Sequence, residues 1–188
     1  MTTNAELMAR RNAAVARGVT HSTPVFAARA RNSELWDVAG KRYVDFAGGI
    51  AVVNTGHCHP DVIGAVREQL EAFTHTAFQV APYEVYVRLA ERLNALAPIA
   101  GPAKSVLFST GAEATENAIK IARAATGRSG VIAFTGGFHG RTFMAAAMTG
   151  KVSPYKKGMG ASLPDVWHVP FPTDAGDISV EDTLKYFD

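Results

Sequence analysis

The chain has 188 residues, of which 47% are apolar and 19% charged, and a formal net charge of +2. A globule of this length buries roughly 70% of its unfolded surface, so one domain fits comfortably and two small ones at a stretch. Ordinary apolar content, near-balanced charge and the lack of any run near the ~18 apolar residues of a membrane helix exclude intrinsic disorder, a basic nucleic-acid binder and a helical membrane protein.

Thr3 and Glu6 have capping-box spacing, which predicts a helix over residues 4–17 stopped by Gly18. Arg10, Arg11 and Arg17 lie within it, and no signal-peptide apolar region is present. An extended stretch follows. Residues 33–38 and 41–46 read as a β-hairpin around Ala39-Gly40, ahead of a Gly-rich turn at 47–50. His57-Cys58-His59 has the residue types of a metal site, but adjacent side chains point apart and no second ligand pair has zinc spacing. Cys58, the one cysteine, has no intramolecular partner, and the chain is expected to be cytoplasmic.

Helical periodicity then predicts helices over 61–73, with Val62, Ala65, Val66 and Leu70 on one face, and over 83–97. Pro98, Gly101 and Pro102 break the pattern, giving an N-terminal segment (1–98) and an α/β segment (99–188). In the second segment, 105–109 and 131–135 read as buried parallel strands, with a third at 166–169. A helix is expected from Thr110 to near Gly127, and another begins at Ser179. Alternating strands and helices argue for a thin doubly wound sheet.

Two turns could carry chemistry. At Ser109-Thr110-Gly111-Ala112 a strand gives way to a helix whose first amides lack intrahelical partners, a setting in which α/β proteins hold phosphates. The same residues also make an ordinary capped helix, with Thr110 as N-cap and Glu113 as box partner, and spacing alone favours that reading. The turn Phe138-His139-Gly140-Arg141 follows the next strand. Phe138 could stack on a planar ring and Arg141 could pair with a carboxylate or phosphate, although singly each also reads as core or surface. Thr149-Gly150-Lys151 is not a P-loop, since Ala145 and Val152 occupy the positions that need Gly and Ser or Thr.

Taken together, VDFAGGIAVVNTGHCHP (44–60), STGAEATENAIKIAR (109–123) and FHGRT (138–142) resemble the class III, or omega, aminotransferases. TGKVSPYKKGMG (149–160) is similar to the branch acting on 4-aminobutyrate. The resemblance implies an α/β fold of fold type I, present as the N-terminal segment plus part of the large sheet domain, with pyridoxal 5'-phosphate as cofactor. It implies that Gly111 and Ala112 donate amides to the cofactor phosphate, that Phe138 stacks on the ring, and that Arg141, Ile50 and Gln79 face the substrate. It further implies transfer of the amino group of 4-aminobutyrate to 2-oxoglutarate, in a homodimer or higher oligomer, without nucleic-acid or membrane partners. Alternatives are 5-aminovalerate or N-acetylornithine as donor, or a truncated relative that only binds or dimerises. The family's Schiff-base lysine has no match in this chain, which is therefore expected to be inactive alone. Lys120, Lys151, Lys156 and Lys157 match helix-surface and loop positions instead.

Overall fold

The computed structural model describes residues 2–160, 162–173 and 177–187. It divides into two compact units, Met1–Tyr83 and Glu84–Asp188. The helix 84–96 at the start of the second unit is tied forward in sequence. The Tyr86 hydroxyl accepts from the Leu107 amide at 2.9 Å, and the Asn94 carboxamide accepts from the Ser105 hydroxyl at 2.8 Å.

In the first unit, helix α1 (Asn4–Ala14) has the Thr3–Glu6 capping box in both directions. It ends three residues earlier than the spacing predicts, at an extended Val15. The Arg11 guanidinium there donates to the Val19 carbonyl. Strands β1 (Ala27–Arg31), β2 (Glu34–Asp37) and β3 (Arg42–Val44) form an antiparallel sheet in that order. The β2–β3 hairpin is the one that the sequence predicts, and β1 lies in the extended stretch before it.

Asp37 is 3% exposed and closes the hairpin. Its carboxylate accepts from the amides of Ala39 and Lys41, the Asn4 carboxamide and the Tyr43 hydroxyl. Burial pushes this carboxyl up, but those hydrogen bonds together hold it below the ordinary aspartate value.

The Gly-rich turn is a one-turn helix, α2 (Gly48–Ala51), in which Gly48, Gly49, Ile50 and Ala51 all have positive φ of 50–64°. Left-handed backbone costs a residue with a Cβ about 1–2 kcal/mol, so Ile50 and Ala51 are strained. Asp45 holds the entry to the turn. Its Oδ1 accepts from the Ala47 and Gly48 amides, and its Oδ2 lies 2.7 Å from His57 Nε2. His57 is anchored in turn by main-chain pairing with Asn32. His57-Cys58-His59 is thus loop structure, and no cluster of three His, Cys, Asp or Glu among the described residues could hold a metal.

Helix α3 (Pro60–Ala72) forms as its periodicity predicts. Its apolar face is exposed, with Val62 at 51%, Val66 at 49% and Leu70 at 57%. Ile63 is half-buried instead.

In the second unit, helix α4 (Glu84–Leu96) precedes an irregular stretch. Residues 105–109 do not form the predicted strand: they have no ladder partner among the described residues, and Val106 and Phe108 are exposed. Apolar composition cannot make a strand without a neighbour to bond. Helix α5 (Gly111–Thr126) starts at the Thr110–Glu113 capping box and stops at a left-handed Gly127. Strands β4 (Val131–Phe134) and β5 (Val166–Val169) pair in parallel as a two-stranded sheet, so the expected three-stranded sheet lacks one member.

Between the two strands in sequence runs helix α6 (Phe143–Met148), absent from the predicted elements and the most buried of those observed. Ala133, Met144, Ala147 and Met148 form the core, with Ile119, Val131 and Val166 packed against it. Helix α7 (Val180–Leu184) is capped by Ser179. It ends at Leu184, with Lys185 as C-cap. No helix among the described residues is long and apolar enough to cross a membrane.

Candidate active site

The two Gly-led turns singled out by sequence meet in one open cleft of about 660 Å³ in the second unit. Thr110, Gly111, Ala112 and Thr115 of the α5 start form one wall, and Phe138, His139, Gly140, Arg141 and Thr142 the other. On the α5 side, the Thr110 hydroxyl takes the Glu113 amide and the Thr110 carbonyl takes the Ala114 amide. The amides of Gly111 and Ala112, the first in the helix, have no acceptor among the described residues. The helix dipole adds partial positive charge there. A Cβ built on Gly111 would meet nothing within 4 Å, so its wall is open to an incoming group.

Gly140 lets the second wall come this close. Its φ is +125°, and a Cβ there would lie 2.7 Å from Ala112 Cβ and 3.0 Å from Ala145 Cβ. Thr149, fully buried, fixes the same turn from below. Its hydroxyl oxygen accepts from the His139 amide at 3.1 Å, and its proton is shared between the carbonyls of Gly140 and Ala145. Glu116 fixes the far end. Its Oε1 accepts from the Thr142 hydroxyl at 2.5 Å, the Met144 amide at 3.0 Å and the Ala145 amide at 3.3 Å. Gly140 lies in a turn that the sequence marks, whereas Thr149 and Glu116 have no site role in the sequence reading. Thr149 reaches back 4 to 10 residues and Glu116 forward 26 to 29, and neither spacing marks a site.

Phe138 is 54% exposed on the cleft, and its ring packs tilted on Tyr155 at a centroid distance of 4.9 Å. Arg141 is exposed on the same wall. Ile50, 93% exposed on the strained α2 turn, and Gln79, also exposed, belong to the first unit. No lysine lines the cleft among the described residues. Lys120 donates outward to Asn117 on its own helix, and Lys156 donates to the Ala147 carbonyl.

The profile of the class-III aminotransferases matches residues 14–186, and the chain belongs to that family, whose cofactor is pyridoxal phosphate. It is 55% identical to the 5-aminovalerate aminotransferase of Pseudomonas putida over 97% of this chain. It is 52% identical to the 4-aminobutyrate aminotransferase of Escherichia coli over 98%. In each case it spans 43% of the relative's length. The fold matches that of the taurine:2-oxoglutarate aminotransferase of Bifidobacterium kashiwanohense, solved with pyridoxal phosphate and glutamate. That match has a TM-score of 0.86 at 26% identity, covering all of this chain and 44% of that one. An omega-transaminase of Thermomicrobium roseum gives 0.80 at 30% identity, covering 99% and 45%. The architecture is fold type I, represented here by a segment.

Proposed function

We propose that this chain supplies the phosphate-holding and carboxylate-reading part of an omega-aminotransferase. The enzyme moves the amino group of 4-aminobutyrate to 2-oxoglutarate, giving succinate semialdehyde and glutamate. The observation that carries the reading is the convergence of two free helix-start amides with an aromatic ring and a guanidinium on one cleft.

The residues present fit pyridoxal phosphate. The Gly111 and Ala112 amides are donors for its phosphate, and Gly111 leaves the room that a side chain would take. The exposed face of Phe138 covers its ring. It has no phenolic hydroxyl, so it contributes stacking alone. When bound, the cofactor supplies an electron sink for charge at the carbon bearing the amine. Arg141 pairs with the donor's distal carboxylate and so orients the amine end. Ile50 and Gln79 are assigned to the substrate on the family resemblance. Ile50 is also presented on strained backbone, which is stored preferentially at functional positions. In this reading the amine that would bind the cofactor covalently and move the proton comes from the part of the enzyme that this chain does not span; that none of the described lysines lines the cleft supports it. A homodimeric, cytoplasmic enzyme completes the proposal.

The second reading is 5-aminovalerate as donor. It is favoured by the 55% identity to a 5-aminovalerate aminotransferase. The test is Arg141→Ala in the complete protein, with kcat/KM measured for both amino acids and for butylamine. Loss of a desolvated charge pair predicts about 2–5 kcal/mol for the acids and almost nothing for the neutral amine. Equal losses for all three donors would assign Arg141 to the fold. The larger wild-type kcat/KM of the two acids identifies the donor.

A further inference from the structure

Arg141 cannot read a chain length unless its own place is fixed relative to the phosphate cradle. Thr142 stands at the N-cap of α6 but makes no side-chain cap bond to that helix. Its hydroxyl points to Glu116 instead, and Glu116 also takes the Met144 and Ala145 amides, the caps that α6 would otherwise need from its own neighbourhood. Glu116 stands on α5, the helix whose first turn carries Gly111 and Ala112. One rigid helix therefore holds the phosphate-binding amides at its start. Little more than a turn later it holds the carboxylate that anchors the residue after Arg141. The contact of Gly140 with Ala112 fixes the same turn from its other side.

We infer that Glu116 is a positioning residue for donor length: it sets the span between the α5 amides and Arg141, and thereby the discrimination between four- and five-carbon omega-amino acids. The inference rests on the reading of Arg141 given above. Displacing a binding group by about 1 Å costs up to 100-fold in rate, and omega-amino acids that differ by one methylene differ in length by about that much.

The test compares Glu116→Ala, Glu116→Gln, Thr142→Val and Arg141→Ala in the complete protein. KM and kcat are measured for 4-aminobutyrate, 5-aminovalerate and butylamine, and hydrogen exchange is followed over residues 143–148. Glu116→Ala should raise KM for both acids by ~10-fold or more, narrow the ratio of their kcat/KM values, and leave butylamine within about twofold. It should also speed exchange of the first-turn amides of α6. Glu116→Gln keeps an oxygen that accepts the same bonds and should recover most of the loss. Thr142→Val removes only the hydroxyl bond and should shift KM in the same direction by less, which serves if the alanine variant does not fold. An unchanged acid ratio in Glu116→Ala or Thr142→Val, an equal loss with butylamine, or a glutamine variant as impaired as the alanine one would overturn the inference. A strong Arg141→Ala effect beside a silent Glu116→Ala overturns it alone. A silent Arg141→Ala overturns the reading beneath it as well.

Discussion

Gly111 and Gly140 face each other across the cleft and do opposite work. At Gly140 the missing Cβ is space that the protein itself occupies, and at Gly111 it is space left open. Gly140→Ala would drive a methyl to 2.7 Å from Ala112 Cβ at a backbone φ of +125°, with Ala145 blocking retreat. The expected cost is about 1–3 kcal/mol for overpacking, with cofactor affinity falling as the two walls are pushed apart. A Cβ at Gly111 meets no protein atom within 4 Å, so Gly111→Val should change stability by less than about 1 kcal/mol while pyridoxal phosphate binding drops sharply. Urea unfolding paired with cofactor titration separates the two. If Gly111→Val binds the cofactor normally, the amides of α5 are not its phosphate site.

At the scale of elements, what the sequence made legible was local. Capping boxes at Thr3–Glu6 and Thr110–Glu113 marked the starts of α1 and α5 because both partners lie within one turn. The hairpin was legible from its turn residues. Helix α6 was not, since Phe143–Met148 has no polar face and its cap comes from Glu116, 28 residues before Met144. Strand β1 reads Ala-Ala-Arg-Ala-Arg, poor strand formers, and exists through its pairing with β2. The cleft residues Gly111, Ala112, Phe138 and Arg141 were legible as motifs, whereas the residues that bring them together were not. The left-handed turn α2 shows what such an element needs. The Asp45 carboxyl is held below the ordinary aspartate value of 3.8, first by its bond with His57 and then by the Gly48 amide, with burial opposing and the Ala47 amide adding to them. A lowered carboxyl stabilises the fold above its ordinary value, and that contribution is lost as pH falls through the lowered one. The α2 turn should therefore keep its structure through mild acid and release below pH 3.8. The amide resonances of Ala47 and Gly48 followed against pH should move with a midpoint below that value. Asp45→Asn should abolish the titration, and a midpoint above 3.8 would contradict the capping role.

At the scale of the whole molecule, surface decides behaviour. The buried apolar residues, among those described, are Ala133, Met144–Met148 and Val169, all in the second unit. The α3 stripe of Val62, Val66 and Leu70 lies open, as do Ile132 and Trp167 on the two-stranded sheet. Patches of that kind on a chain of this size favour association. The 188 residues expressed alone should therefore sediment as oligomers or aggregates; a monodisperse 20.0 kDa monomer would contradict this. They should also fail to transaminate. Proton transfer at the amine-bearing carbon needs a base within about 3 Å of it, and no lysine among the described residues lines the cleft. Lys120 and Lys156 are already engaged elsewhere. Borohydride reduction of the chain with pyridoxal phosphate, followed by peptide mapping, should give adducts scattered over several lysines and no glutamate from 4-aminobutyrate and 2-oxoglutarate. A single stoichiometric adduct accompanied by glutamate formation would mean that one of these surface lysines reaches the cleft and carries the reaction.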